Sequence, residues 1–181
     1  MVHRVNIERV RPRDGAELVA ANLASIALHE PWVSPCRDLV SFQGYLSRCD
    51  GDRSIGFIAR ECESDRIVGV VNLSEIVRGF FQSAYMGYYA VSGMNGRGLM
   101  SEAVGLVVTH AFTELRLHRI EANIQPQNEP SRALVKRLGF RQEGYSPRYL
   151  KIGGEWRDHE RWAILSEDWR GWEGLTPPRR V

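Results

Sequence analysis

A glycine-rich loop with one arginine inside it is the part of the sequence best suited to bind an anion. It runs Gly93-Met94-Asn95-Gly96-Arg97-Gly98, directly before a long amphipathic segment. Glycines let the backbone approach a phosphate, and the unpaired N–H groups of a following helix would point at it. The helix dipole adds roughly half a positive charge there. The loop therefore predicts a phosphate site, with a plain glycine-rich turn as the alternative.

The sequence lacks the motifs of several other kinds of site. No Gly-Lys-Ser/Thr closes the loop, so it is not a Walker A motif, and the preceding strand comes too late for a dinucleotide fold. The five histidines have no HExxH spacing, so no metal site is expected. Cys36, Cys49 and Cys62 form no CxxC pair and fit free thiols in a reducing cytoplasm.

Strands and helices on both sides of the loop must position it. Apolar residues at spacings of three and four predict a helix from Leu99 to Leu115. Pro130 and Gly139 bracket another helix, and Gly153-Gly154 predicts a hairpin between the last two strands. The other predicted elements are a strand at 2–10, a helix at 16–28 capped by Asp14, a helix at 38–48, an antiparallel strand pair at 54–62 and 66–77, and strands at 84–91 and 118–125.

Composition indicates one ordinary globular domain. With 181 residues, of which 43% are hydrophobic, the chain can bury one core, which we assign to residues 1–169, with 170–181 as a frayed tail. Lys and Arg number 24 against 22 Asp and Glu, and a net charge of +2 gives no argument for nucleic-acid binding. The sequence has no apolar run of the ~20 residues that cross a bilayer and no signal peptide, so a cytoplasmic protein without membrane contact is expected.

Several ordered motifs resemble one enzyme superfamily. The segments YMGYYAV, NGRGLMSEAV, HRIEANIQPQN and NEPSRALVKRLGF are similar to those of the GCN5-related N-acetyltransferase (GNAT) superfamily. VVNLSEIVRG and EGYSPRYLKIGGEWRDH extend the resemblance, over residues 66–165, to its RimJ/RimL branch of ribosomal-protein acetyltransferases, and to the alanine-acetylating RimJ type in particular. This implies a single α/β (α+β) domain, with a mixed, mostly antiparallel sheet whose central parallel strand pair splays apart.

The resemblance implies acetyl-CoA as cosubstrate, held in the cleft between the strands at 84–91 and 118–125. The backbone of Tyr89, Ala90 and Val91 would bind the pantetheine arm as an added strand, and the N–H near Val91 would polarise the thioester carbonyl. Asn128 would bind a pantetheine amide or cap its helix. The pyrophosphate would be wrapped by Gly96, Arg97, Gly98, Leu99, Met100 and Ser101.

The same resemblance implies Ser131 as the group that acts on the departing thiolate. Many relatives use a tyrosine of this helix, but Val135 stands in its place and cannot donate a proton. Capping of the helix is the alternative role of Ser131. Glu75 and Glu121 are candidates for a proton acceptor, but neither position matches one that the resemblance implies, and the base is left unassigned.

The implied acceptor is the α-amine of a protein N-terminus beginning with Ala or Ser, bound by Trp32, Glu75, Tyr85 and Tyr149. A small amine substrate and a catalytically weak acyl-CoA-binding module are the two alternatives. A monomer and a homodimer are both compatible with the sequence.

Overall fold

Runs of Val, Ile and Leu build one seven-stranded sheet at the centre of the protein. The computed structural model describes residues 3–172. The strands in chain order are β1 (Val5–Arg9), β2 (Ile55–Glu61), β3 (Ile67–Val77), β4 (Ser83–Ala90), β5 (Arg119–Ile124), β6 (Arg141–Ile152) and β7 (Glu155–Leu165). The helices are α1 (Gly15–Leu23), α2 (Ile26–His29), α3 (Leu39–Arg48), α4 (Leu99–Thr113) and α5 (Glu129–Arg137).

The sheet order is β1-β2-β3-β4-β5-β7-β6, and only β4 and β5 run parallel. The antiparallel β2–β3 pair and the β6–β7 hairpin are confirmed. β4 and β5 pair only over Ser83–Tyr85 and Arg119–Glu121. Past these residues the two strands separate, which confirms the predicted splayed pair and leaves one edge of β4 open.

The helix predicted at 16–28 is interrupted in the structure. α1 ends at Leu23 and α2 begins at Ile26, with Ser25 buried between them. The Ser25 hydroxyl donates to the carbonyl of Ala21 (2.6 Å) and accepts from the amide of Ser92 (2.8 Å), so a long-range contact fixes the break. Asp14 precedes α1 but does not cap it, because its carboxylate accepts from the Arg11 amide instead.

The helices divide between the two faces of the sheet. The Tyr45 hydroxyl of α3 donates to the Asn72 side chain, and the His29 ring of α2 stacks edge-on against Tyr89. On the opposite face His110 of α4 contacts Phe57, and Ser131 of α5 meets Tyr88. Because successive side chains of a strand point to opposite faces, α1–α3 cover one face and α4–α5 the other.

The C-terminal residues that the structure describes pack on α4. Trp172 lies so close to Gly105 that a Cβ atom there would come within 2.5 Å of the indole ring. The remainder of the predicted tail, 173–181, lies outside the described residues. Within residues 3–172 no helix has the length and apolar character needed to cross a bilayer.

Candidate active site

A cavity of about 620 Å³ opens where β4 and β5 separate. Its walls come from both strands, the glycine loop, the first turns of α4 and α5, and the segment after α2. Nine predicted site residues line it: Trp32, Tyr89, Ala90, Gly96, Gly98, Met100, Ser101, Asn128 and Ser131. Val91, Arg97, Leu99, Glu75, Tyr85 and Tyr149 are not among the lining residues.

The glycine loop turns sharply into α4 at one end of the cavity. Gly93, Gly96 and Gly98 have φ values of 80°, 74° and 79°, a region that glycine adopts without strain. α4 begins at Leu99, whose side chain is buried in the core, so only its backbone can serve a ligand. The first-turn N–H groups of α4 and the positive end of its dipole make this end suited to a phosphate.

Arg97 differs from the expectation, because its side chain turns away from the cavity. Its Nη2 donates to Glu61 Oε1 at 2.5 Å. Hydrogen bonds from Ser64 and then Arg97 hold the pKa of Glu61 below its ordinary value, so this carboxylate stays charged and keeps the arginine. The loop arginine therefore fits an ion pair with β2 better than a direct phosphate contact.

Arg137, which the sequence reasoning missed, is the arginine that lines the cavity. It lies in the last turn of α5, and its Nη1 donates to Ser101 Oγ at 3.0 Å. The guanidinium therefore stands beside the first turn of α4, where an anion would also meet the helix dipole. Its place two residues before the helix-ending Gly139 was visible in the sequence, but the direction of its side chain was not.

Ser131 and Tyr88 form a hydrogen-bonded pair inside the cavity. Tyr88 Oη lies 2.6 Å from Ser131 Oγ and 3.2 Å from the Ser131 carbonyl oxygen. Burial raises the pKa of the Tyr88 hydroxyl far above its usual value, so it stays protonated. With Tyr88 donating to Ser131 Oγ, the serine proton can point at a ligand. Val135 of α5 is buried in the core. The tyrosine hydroxyl that lies next to Ser131 is that of Tyr88 on β4.

Asn128, rather than Ser131, caps α5. Asn128 Oδ1 accepts from the Ser131 amide at 3.2 Å, whereas the Ser131 hydroxyl is taken up by Tyr88. The predicted capping role of Asn128 is confirmed, and the alternative of Ser131 as the cap is wrong. The Asn128 side-chain NH₂ group is not used by the cap, and Asn128 lines the cavity.

The backbone N–H groups of β4 that can reach a ligand are not at Val91, where one was expected, and the nearest of them is one residue earlier. The Val91 amide donates to the Val68 carbonyl at 2.9 Å within the sheet, so it does not fit the role of polarising a thioester. Since N–H groups alternate between the two edges of a strand, those of Tyr88 and Ala90 point to the open edge. Burial lowers the pKa of His29, and its neutral ring donates from Nε2 to the Ala90 carbonyl at 2.8 Å.

The residues expected to bind the acceptor are only partly brought together. Trp32 lines the cavity, and Tyr149 lies close enough to Tyr85 to raise the pKa of the Tyr85 hydroxyl above its ordinary value. Glu75 is exposed and paired with Arg53, outside the cavity. Glu121 is held by Arg119 Nε at 2.8 Å, so neither glutamate is poised to take a proton from a ligand.

Two further side chains of the cavity wall were not anticipated. Asn123 of β5 carries a buried Oδ1 that no group within residues 3–172 donates to, which suits an N–H donor of a ligand. His159 of β7 is buried and lines the same cavity. Within the described range, no cluster of three or more His, Cys, Asp or Glu residues is arranged to hold a metal ion.

Comparison with known proteins identifies the family. A family model described as an acetyltransferase (GNAT) domain matches residues 4–141. The “Probable N-acetyltransferase YjcK” of Bacillus subtilis is 43% identical over 124 residues, 68% of each chain. The [ribosomal protein uS5]-alanine N-acetyltransferase of Escherichia coli is 42% identical over 107 residues, 59% of this chain and 55% of that enzyme, so the alignment spans little more than half of it.

A solved structure agrees with this assignment. Mycobacterium smegmatis RimJ in complex with CoA-disulfide superimposes with a TM-score of 0.82 at 33% identity, covering 90% of this chain and 82% of that one. The family model spans well over half of the chain, and the splayed β4–β5 pair is the fold that the resemblance implied. The protein therefore belongs to the GNAT family of N-acetyltransferases.

Proposed function

We propose that this protein transfers the acetyl group of acetyl-CoA to the α-amine of a polypeptide that begins with Ala or Ser, such as a ribosomal protein. The observation that carries the proposal is the Tyr88–Ser131 pair, which lines the same cavity as the glycine loop. The likeness to RimJ and to the uS5-alanine acetyltransferase supports the choice of acceptor.

The residues around the cavity fit acetyl-CoA along its whole length. Gly96, Gly98 and the first-turn amides of α4 would hold the pyrophosphate, and Arg137 would add a positive charge beside it. The Asn128 NH₂ group would meet a pantetheine carbonyl. The open edge of β4 would pair with the pantetheine amides as a neighbouring strand does.

The chemistry of transfer needs a donor at the thioester oxygen and a donor at the sulfur. The Tyr88 and Ala90 amides point to the open edge and would stabilise the negative charge that develops on the oxygen. As the C–S bond breaks, Ser131 would give its proton to the sulfur and take one from Tyr88, which water then restores. A buried, protonated phenol and a serine together replace the missing tyrosine of α5.

The composition of the cavity wall favours an α-amine over a polyamine. No Asp or Glu is among the described residues that line it, whereas its charged or titratable groups include Arg137, His29 and His159. A polycation would find no carboxylate to neutralise it there. An α-amine, with a pKa near 7.7–8.0, supplies a neutral nucleophile at pH 7 far more readily than a lysine side chain with a pKa near 10.4.

Trp32 at the cavity wall would enclose a short first side chain, with Tyr85 and Tyr149 farther out on the same face. Such a pocket discriminates by only ~1–3 kcal/mol per methylene, so Ala and Ser should both be accepted. The buried, unpaired Asn123 Oδ1 would accept a hydrogen bond from the incoming amine.

A panel of acceptors tests the proposal. We expect Ala- and Ser-initiated peptides to be acetylated at similar rates at pH 7, a Leu-initiated peptide more slowly, and an N-formylated Ala peptide not at all. Acetylation is measured as CoA release and by the mass of the product. Faster turnover of spermidine than of the Ala peptide would favour the small-amine alternative, and no turnover of any amine despite CoA binding would favour the binding module.

We also infer a cytoplasmic location. Cys36, Cys49 and Cys62 are free thiols in the structure, which is typical of proteins kept in a reducing compartment.

A further inference from the structure

The proposed transfer leaves one amine proton without an assigned acceptor, and the buried His159 of the cavity wall has no role in the steps described so far. Glu160, the next residue of β7, is held by Arg132 of α5 at 2.9 Å. Since neighbouring side chains of a strand point to opposite faces, His159 lies on the α1–α3 face. Ser131 belongs to α5 on the other face, yet both residues line the one cavity.

This arrangement separates the two ends of the reaction. An amine that enters from the α1–α3 face would attack the carbonyl carbon from the His159 side. The sulfur would leave toward Tyr88 and Ser131 on the α4–α5 face. In the β5–β7 register Asn123 lies opposite Arg161, so His159 is its diagonal neighbour, about 7–8 Å away. An amine bound to Asn123 Oδ1 would thus be within reach of His159.

The hydrogen bonds of His159 fix which nitrogen can accept a proton. Nδ1 lies 2.9 Å from the carbonyl oxygen of Arg157, and because a carbonyl only accepts, Nδ1 carries the hydrogen. The lone pair therefore belongs to Nε2. No group within residues 3–172 is hydrogen-bonded to Nε2. Burial lowers the pKa of His159 below its ordinary 6.5, so the ring is neutral at pH 7.

The charged neighbours of His159 on β7 are Asp158 and Glu160 beside it and, two residues away on the same face of the strand, Arg157 and Arg161. The carboxylate of Asp158 accepts hydrogen bonds from the Tyr145 hydroxyl and from the Arg148 amide at 2.7 Å. Its negative charge is therefore held by these donors, on the opposite face of the strand from His159. From β6 the ring of Tyr149 lies 6.2 Å from that of His159. From β5 the uncharged Asn123 is its diagonal neighbour, and the neutral His29, which also lines the cavity, is hydrogen-bonded to the Ala90 carbonyl.

We propose that His159 is the catalytic base, which takes the amine proton on Nε2 as the N–C bond forms. The step rests on the proposed acetyl transfer. The amine nitrogen bonds to the acetyl carbon, the C–S bond breaks, one amine proton moves to His159, and the sulfur takes one from Ser131. His159 then loses its proton to water, and Ser131 regains one from water through Tyr88, so amine and acetyl-CoA yield amide and CoA in balance.

His159→Asn tests the assignment, because an asparagine NH₂ group can replace Nδ1 toward Arg157 while nothing replaces Nε2. We expect kcat to fall about 100-fold, with the Kd for CoA unchanged within two-fold. Added imidazole should restore part of the rate. His110→Asn is the matched control, since burial also lowers the pKa of His110 but this residue lies on α4 outside the cavity. It should keep the wild-type kcat.

The pH dependence gives a test that does not rely on a variant. In the wild type, log kcat/KM should rise with a slope of 2 below the pKa of His159, which is under 6.5, and with a slope of 1 up to the pKa of the amine. His159→Asn should show a slope of 1 throughout. A wild-type slope of 1 at all pH values, or full kcat in the variant, would overturn the assignment.

The acceptor for these measurements is the best amine of the panel, whichever class it belongs to. If peptides are not acetylated but another amine is, the proposed acceptor is wrong while the role of His159 is still tested. If no amine is acetylated, both proposals fall.

Discussion

Ser131→Ala is expected to lower kcat for acetyl transfer about 100-fold, with a much smaller change in the KM for acetyl-CoA. The hydroxyl would act on the sulfur only as the C–S bond breaks, so its loss affects the transition state more than binding. Asn128 caps α5 and the Ser131 hydroxyl bonds to Tyr88, so the helix keeps its cap in this variant. Steady-state kinetics with an Ala-initiated peptide give both constants.

Tyr88→Phe should lower kcat by a similar factor, because the Tyr88 hydroxyl supplies the proton that replaces the one Ser131 gives to the sulfur. The double variant should be little slower than either single one, since two groups that act as a unit are not additive. Tyr45→Phe is the control, because it also removes a partly buried 2.6 Å hydrogen bond, to Asn72, outside the cavity. It should keep the wild-type kcat. If Ser131→Ala keeps full kcat and only melts earlier, the hydroxyl has a structural role alone.

Gly98→Val is expected to weaken CoA binding about 100-fold, equivalent to about 2.7 kcal/mol. Gly98 precedes α4 with φ at 79°, which a β-branched residue adopts only with strain of about 1–3 kcal/mol. Relief of that strain would move the first N–H groups of α4 out of line with a phosphate. Titration calorimetry with CoA measures the change, and thermal melting shows whether the domain is folded.

Gly79→Val is the control, because it also places a β-branched residue at a position with positive φ. Gly79 has φ at 66°, an added Cβ would meet nothing within 4 Å, and the residue lies in the β3–β4 loop away from the cavity. We expect unchanged CoA affinity there. An equal affinity in folded Gly98→Val would remove the glycine loop from the cofactor site.

Local chemistry was sufficient to predict most elements of the fold. The apolar stripe of α4, the glycine that ends α5 and the Gly153-Gly154 turn each act within a few residues, and each appears as expected. The first helix was not predictable in the same way. Its break at Ser25 depends on a hydrogen bond to Ser92, which is 67 residues away in the chain.

The site shows the same division between local and long-range effects. The glycine loop and Asn128 were found from their neighbours in the sequence. The direction of Arg97 depends on Glu61 across 36 residues, and the Tyr88–Ser131 pair joins positions 43 residues apart. His159 enters the cavity through strand register, because β7 pairs with β5 rather than continuing beyond β6. Such side-chain directions follow from packing and have no signature in the spacing of residues.

The central claim, transfer to a protein N-terminus, is tested most directly by competition in one reaction. An Ala-initiated peptide that contains one internal lysine is mixed with an equal concentration of spermidine and limiting acetyl-CoA at pH 7, and the products are located by fragment mass spectrometry. We predict that the acetyl group is found on the Ala α-amine, with little on the lysine or on spermidine. Acetyl groups mainly on spermidine or on the lysine side chain would contradict the proposed function.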